Sequence, residues 1–452
     1  MAATSSLLFA QTQPATDAVV ADFEKGSHTT VTVRSASAAA TSEPSNSFLR
    51  VVPNTPDAGK ASMRLPLPAQ VEMVGRDQLS ARLRVAATQP SVDLTWMALD
   101  GEAKPIFIRR FTLQPGEKWV TLDQPLRLWR WSDGHIGDWD DVRQLALRID
   151  SRDVTQLDVD DVRLTGEAPR DARATWLLRL AFGADHPPRV AQAEGFMVAT
   201  EAVDAFSDED LHRLLRDAKH ARAFVRRIFI DAVRPTNDLG SPALLLIFSD
   251  NANRSGFLDR LGDAWNARIV QRDAQGFTVH DIGTATYDKE RSVRRPVYLH
   301  EAVHAIVARD LRLQVGYAPH KPLQEGIANY IQLCVHPKSI DRDAYVKAFA
   351  EGVDESGKRI FKPLESLFAA PTTSKQYAQL ASLIAYLVEN DPALLRDLAK
   401  GLAAGERASD VLTKRGTNWQ HLEDSWLGWG RQRFKTALAD GESPFDVPAE
   451  FR

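Results

Sequence analysis

Cysteine is almost missing from this chain: of its 452 residues only Cys334 carries a thiol. No disulfide can form within one molecule, so the fold must rest on buried apolar surface. That usage suits a reducing compartment and equally suits an exported protein that does without disulfides. Long apolar runs are missing too. The longest, residues 242–248 and 380–388, are far shorter than the roughly 20 residues needed to span a bilayer. There is no excess of positive charge, with 56 Lys and Arg against 60 Asp and Glu, a net charge of -4 and a pI near 6.3. Without a basic stripe, nothing points to nucleic acid or to an anionic membrane surface. Internal repeats and low-complexity tracts are absent as well.

What remains is an ordinary globular composition, 44% apolar and 26% charged, on a chain too long for one hydrophobic core. Residues 1–17 begin MAATSSLLFAQTQPA, with a short apolar stretch and no preceding Lys or Arg. They read as a tail or as the remnant of an export signal whose start lies upstream. An exported location (periplasmic, cell surface or secreted) is the expectation, with the cytoplasm left open.

From residue 18 to 166 the pattern is β. Short β-rich runs at 28–33, 48–52, 79–86, 92–99, 105–111, 118–122, 144–149 and 156–164 are separated by Gly, Pro, Asn and Asp. Their spacing is that of a sandwich or barrel. Residues 167–174 are polar and contain Pro, as a linker does. The next segment, 175–440, mixes both periods, and 441–452 reads as a C-terminal tail. Residues 208–232 place Leu211, Leu214, Leu215, Ala218, Ala221 and Val225 on one helical face, opened by Ser207 and two acids. Residues 243–248 (ALLLIF) read as a buried strand, and 267–270 and 277–282 as two more. Helices then dominate to the C-terminal end.

The residues that carry chemistry lie at 299–305, LHEAVHA, inside an apolar helical segment. Four-residue spacing puts His300 and His304 on one helix face, where both imidazoles can hold one ion. Glu301 is rotated away by one residue, placed to act on a water at that ion without ligating it. Zinc lowers the pKa of such a water, and a carboxylate can take its proton and return it to a leaving amine. A catalytic zinc needs three protein ligands and an open position. Asp310 would complete a compact metzincin-type set, but that set needs a glycine turn where this chain has Val307. On a continuous helix Asp310 lies about 15 Å along the axis from His300. It reads instead as a helix-end or surface acid.

Glu325 is the other candidate, and a family resemblance is what assigns it the part of third ligand. It falls in the first turn of a helix expected over 322–335, PLQEGIANYIQLCV. The pairing of HEAVH with EGIANY resembles the gluzincin zinc metallopeptidases, the peptidase MA-like superfamily, over roughly residues 195–436. The resemblance implies an α+β thermolysin-like domain with Zn2+ held by His300, His304 and Glu325, Glu301 as general base, and a protein or peptide substrate. It also implies that Asn329, four residues beyond Glu325, holds a zinc-bound histidine, where thermolysin-like members use Asp. Residues 376–389 resemble the helix that follows the zinc site, and the resemblance maps a carbonyl-facing phenol onto Tyr377. Tyr330 and His320 are the next donors in line.

The N-terminal segment resembles galactose-binding-like jelly rolls and carbohydrate-binding modules, through ADFEKG at 21–26, WDDVRQLALRI at 139–149 and LDVDDVRL at 157–164. The likeness implies an all-β sandwich able to hold a glycan, with Trp129 and Trp131 as stacking faces or core anchors. A structural Ca2+ held by Glu24, Asp160 and Asp161 would follow from oxygen-rich strand ends. The fold class expected is therefore multidomain, a jelly-roll-like sandwich followed by the gluzincin domain. Three rival functions stay open: an inactive metallopeptidase-fold scaffold, a glycan-binding protein, and a zinc hydrolase of another amide.

Overall fold

A computed structural model describes residues 17–23, 31–43, 46–54, 61–168, 171–185, 187–193, 195–201, 206–233, 242–269, 275–352, 361–369, 372–440 and 444–445. The N-terminal tail to residue 16, Glu24 and most of 441–452 lie outside the described residues. The chain divides into two compact units, one of residues 1–130 and 138–173, the other of 131–137 and 174–452. The short segment 131–137 thus groups with the C-terminal unit, although the sequence placed it in the sandwich.

The first unit is a β-sandwich. Its strands are β1 (Ala18–Ala21), β2 (Thr32–Arg34), β3 (Ala36–Glu43), β4 (Asn46–Pro53), β5 (Ser62–Pro66), β6 (Arg76–Ala87), β7 (Val92–Leu99), β8 (Pro105–Leu113), β9 (Val120–Pro125), β10 (Arg130–Trp131), β11 (Gln144–Ile149) and β12 (Val154–Glu167). One sheet runs β3-β4-β12-β6-β9 with β1 also on β12, and the other runs β10-β8-β7-β11-β5-β2. Period-two alternation decides which side chains enter the core. In β6, Leu79, Ala81, Leu83 and Val85 are buried. Register pairs Leu157 with Val85 and Val159 with Leu83, so β12 buries the same face. The intervening pairs, Asp158 with Arg84 and Asp160 with Arg82, lie on the opposite face. Strands β3, β5 and β10 were not expected from sequence, and the first strand, expected at 21–26, lies at Ala18–Ala21. Ala36–Glu43 (ASAAATSE) has no aromatic residue and only Thr41 as a β-branched one, and it pairs along its length with β4, so its partner rather than its propensity makes it a strand.

The second unit holds a five-stranded sheet, β13 (Arg189–Ala193), β14 (Phe196–Thr200), β15 (Ala243–Phe248), β16 (Gly276–Val279) and β17 (Ile282–Thr286), in the order β13-β14-β15-β17-β16. The inner three strands are parallel, and both edges are antiparallel. Every residue of β15 is buried, as a strand covered on both faces requires. The single strand expected at 277–282 is two, because His280 takes a left-handed conformation (φ 56°) and turns the chain into a hairpin. Residues 267–269 form no strand, and 270 lies outside the described residues.

Its helices are α1 (Ala172–Phe182), α2 (Asp208–Ile228), α3 (Asn251–Trp265), α4 (Lys289–Arg294), α5 (Val297–Leu311), α6 (Lys321–Val335), α7 (Ile340–Gly352), α8 (Leu364–Ala369), α9 (Tyr377–Asn390), α10 (Pro392–Ala403), α11 (Ala408–Lys414) and α12 (Trp419–Asp440). Ser207 and Asp210 form a reciprocal capping box that starts α2. Twelve of the fifteen residues of α5 are buried, which makes it the central helix rather than a surface one. Among the described residues, no helix is long and apolar enough to cross a membrane.

Two glycines set how closely α5 approaches the sheet. A Cβ on Gly283 would sit 2.8 Å from the Glu301 carbonyl oxygen, and one on Gly276 would sit 2.6 Å from Glu301 Cγ. Only residues without a side chain let this pair of strands reach the helix at that point. At the far end of α5, Asp310 accepts from Arg222 Nε of α2 at 2.9 Å, with Arg226 Nε at 3.5 Å. Asp310 is thus a buried structural anion near the helix end, not a surface acid and not a metal ligand. Leaving either partner of such a buried pair alone is costly.

Candidate metal centre

Three side chains from two helices converge. His300 and His304, one turn apart on α5, bring their Nε2 atoms within 3.0 Å. Glu325, in the first two turns of α6, places Oε2 3.4 Å from each of those nitrogens. Among the described residues, no well-directed hydrogen bond reaches Glu325 Oε2, although the atom is buried. A buried carboxylate oxygen without a donor is costly in itself. Here it faces two imidazole nitrogens across a gap.

The spacing tests whether a metal fits. Zinc–ligand bonds of about 2.0–2.1 Å in a tetrahedron put neighbouring donor atoms about 3.3 Å apart. The three separations, 3.0, 3.4 and 3.4 Å, match that edge length. Two nitrogens and one carboxylate oxygen also suit zinc chemically. Among the described residues, the other grouping of potential ligands is Asp138, Asp140 and Asp141. There Asp138 and Asp141 cap a short 3-10 turn, which accounts for their proximity.

Electrostatics agree with the geometry. Burial disfavours charge on Glu325, yet the two histidines outweigh it and hold the carboxyl far below the usual carboxylate range. Burial also opposes charge on His304, but the Glu325 charge 3.4 Å away, then the Glu301 charge and the Gln324 hydrogen bond, push its pKa up to about 9. Without a metal the cluster therefore binds a proton instead.

Gln324 fixes which nitrogen of His304 faces the cluster. Its Nε2 donates to the Leu313 carbonyl, which can only accept, so its Oε1 must be the atom 2.8 Å from His304 Nδ1. Nδ1 then carries hydrogen, and the Nε2 lone pair points inward. The sequence had given Asn329 the part of holding a zinc-bound histidine. Instead Asn329 donates through Nδ2 to the Glu325 carbonyl and accepts from the Tyr345 hydroxyl at 2.7 Å. The Asn329 expectation is corrected because its side chain turns back along α6 and toward α7. Replacing Gln324 by Ala is expected to weaken zinc binding about 10–100-fold, as loss of an outer partner usually does. Asn329→Ala is expected to change it by only a few fold. Chelator-competition titration of both variants checks the contrast.

Glu301 is buried beside the cluster, and the Thr278 hydroxyl of edge strand β16 donates to its Oε2 at 2.6 Å. Tyr377 opens α9 and lies half-buried, with its ring over His300 at a centroid distance of 6.0 Å. Burial first, then the neighbouring Glu325 charge, keep its phenol protonated far above the ordinary range. It is a neutral O–H donor at any physiological pH. The two fallback donors are elsewhere. His320 accepts from the Gln314 backbone N–H at Nδ1 and reaches the Leu402 carbonyl through Nε2, so both ring nitrogens are committed to packing. Tyr330 is a core residue.

Trp129 in the first unit and Trp131 in the second are buried at 2% and 7% exposure, so neither offers a face for stacking. The calcium site expected at Asp160 and Asp161 is corrected too. Asp160 pairs with Arg82 at 3.1 Å and Asp161 with Arg163, so guanidinium groups stand where a cation would. Glu24 lies outside the described residues.

Sequence reasoning passed over Gln324, Thr278, Gly276 and Gly283. The glycines were readable as interruptions of β-rich runs, a mark of close backbone approach. Gln324 had a signal only in its adjacency to Glu325.

The chain matches no protein-family model and no curated protein. Solved structures resemble its N-terminal part. One is the family 11 carbohydrate-binding module of the cellulase Lic26A-Cel5E of Clostridium thermocellum, at 13% identity and a TM-score of 0.28, over 33% of this chain and 95% of the module. Another is the CBM22-1 xylan-binding domain of Paenibacillus barcinonensis Xyn10C, at 17% identity and a TM-score of 0.25, over 34% of this chain and 97% of that domain. The agarase AgWH50C matches at 14% identity and a TM-score of 0.28, over 45% of this chain but only 30% of the agarase.

Proposed function

We propose that the second unit is a zinc-dependent hydrolase of peptide bonds. One observation carries the reading: the Nε2 atoms of His300 and His304 and Oε2 of Glu325 converge at tetrahedral donor spacing, and the Glu301 carboxylate is held beside them. A bound zinc would supply a Lewis acid that polarises the scissile carbonyl and makes a water more acidic. The residues of the chain do the rest. Gln324 keeps the His304 lone pair directed inward. Glu301 takes a proton from the attacking water as its oxygen bonds to the carbonyl carbon. When the C–N bond breaks, that proton passes to the leaving amine and Glu301 returns to its starting state. The Thr278 hydroxyl restrains Glu301 in one orientation.

Tyr377 donates to the carbonyl oxygen as negative charge develops there. Such a donor acts in the transition state, so Tyr377→Phe is expected to lower kcat and kcat/KM together by about 10²–10³, with zinc content unchanged. Steady-state kinetics on a well-folded variant decides it, and an unimpaired kcat removes Tyr377 from the mechanism.

The direct test is cleavage of a peptide library by the purified protein with and without a chelator. Cleavage that stops on chelation and returns with zinc supports the peptidase. Zinc bound without cleavage of any peptide favours a hydrolase of another amide or an inactive scaffold.

A further inference from the structure

At the N-terminal end of α5 lies a polar cleft that the metal centre does not use. Its volume is about 170 Å³, room for one side chain or one chain end. Ser249, just past β15, and Thr286, the last residue of β17, both line it, so it opens at the carboxyl ends of two parallel strands. Ligands of open parallel sheets bind in that position. Two contacts tie the cleft to Glu301. Val297 lines it and stands one turn before Glu301 on the same face of α5, about 6 Å along the axis. Gly276 approaches both residues: a Cβ there would sit 2.7 Å from Val297 Cγ1 and 2.6 Å from Glu301 Cγ. A group held in the cleft is therefore about two or three residues of extended peptide from a bond attacked beside Glu301.

The acceptors of the lining are already engaged. Asp250 caps α3, taking the Asn253 backbone N–H at 2.8 Å on one oxygen and the Asn253 amide at 3.3 Å on the other. Asp288 caps α4, taking the Arg291 backbone N–H at 2.7 Å. Asn251 Oδ1 accepts from Arg254 Nε at 3.0 Å and Nη2 at 2.6 Å.

Donors are left over. The Ser292 hydroxyl, buried at 7% exposure, accepts from the Asp288 backbone N–H at 3.2 Å. Among the described residues, its own hydrogen and those of the Asn251 amide go to no acceptor. Arg291 has no carboxylate partner among them either. Its guanidinium meets only the Gln275 amide oxygen, and one oxygen cannot satisfy five N–H groups. Arg295 adds a second guanidinium, 52% exposed and paired with Asp341 at 3.0 Å.

A guanidinium among spare donors, with the nearby acceptors engaged, suits a planar anion. We infer that this cleft recognises a carboxylate of the substrate, held by Arg291 with Ser292 and Asn251. It directs cleavage to peptide bonds two or three residues from that group. The carboxylate is the C-terminus of the peptide or the side chain of an Asp or Glu within it. The inference rests on the peptidase reading, but none of the three residues belongs to the metal centre.

The test uses the zinc-loaded full chain and one peptide library in two forms, with a free C-terminus and with a C-terminal amide. Mass spectrometry identifies the bonds that are cut. Bonds two or three residues from a carboxylate are expected to be cut about tenfold faster than the same bonds beside Gln, Asn or a terminal amide. A preference abolished by amidation assigns the cleft to the C-terminus, and one that follows Asp or Glu assigns it to a side chain. Arg291→Gln should bring the ratio close to one, and Arg291→Glu should turn the preference toward Lys or Arg. Arg291 is exposed, so both variants should keep the zinc content and circular dichroism of wild type. Cleavage that ignores carboxylates, or a preference that survives Arg291→Gln, overturns the inference and leaves the peptidase standing. If no peptide is cut, the peptidase reading falls, and calorimetry decides the cleft. The probes are then acetyl-tetra-alanine as acid and as amide, and its amidated Glu and Gln variants. Tighter binding of the carboxylate forms, lost in Arg291→Gln, supports the inference, and equal binding overturns it.

Discussion

Glu301→Gln should leave zinc bound and abolish nearly all turnover, lowering kcat by at least about 10³-fold. Gln preserves the length and planarity of the side chain, and its amide can still meet the Thr278 hydroxyl that now bonds Oε2. What it loses is the ability to take a proton from water and return it to the amine. Because the ligands are untouched, metal analysis of the variant should still find one zinc per chain. This split between intact metal binding and lost turnover is what a base beside the ion predicts and a ligand does not. A kcat near wild type would show that another group takes the proton.

His304→Ala should lose the metal outright. The remaining pair, His300 and Glu325, leaves two donors 3.4 Å apart, and two ligands rarely retain zinc. The variant also strands Gln324, whose Oε1 would lose the imidazole 2.8 Å away in a fully buried setting, so some loss of stability accompanies the loss of metal. The same residue gives zinc binding its pH dependence. In the absence of metal His304 titrates near pH 9, raised because the Glu325 carboxylate outweighs the effect of burial. Below that pH a proton occupies the position the metal needs, so apparent zinc affinity should fall as pH falls, by about tenfold per unit for one displaced proton. Competition titrations between pH 6 and 8 check this, and a pH-independent affinity would show that no proton is displaced.

How much of this was legible in the sequence depends on the range of the interaction. The helical pairing of His300 and His304 is local, set by four-residue spacing on α5, and needs no knowledge of the fold. Glu325 lies twenty-one residues beyond His304, and only the likeness of EGIANY to a known pattern brought it forward. Asn329 was misassigned because four-residue spacing puts it near Glu325 but does not say which way an amide turns. The structure turns it to the Glu325 carbonyl and to Tyr345, and Gln324 takes the imidazole instead. Thr278 was invisible for a different reason. It reaches Glu301 only because the 277–282 run folds back at His280, a left-handed residue that is not glycine. In the sandwich, the alternation that buries Leu83 and Val85 was readable, but the burial of Asp158 on the opposite face depends on arginines from two other strands. Trp129 and Trp131 were singled out for their residue type, yet packing buries them and leaves Trp119 half-exposed.

The central claim is that His300, His304 and Glu325 form a zinc site, and metal stoichiometry tests it most directly. Purified protein should be stripped with chelator, reloaded with excess zinc, desalted, and measured by mass spectrometry of the element beside His304→Ala and Glu325→Ala. One zinc per wild-type chain, with little or none in either variant, is the predicted result. Wild-type protein that retains no zinc, or variants that retain as much as wild type, would contradict it.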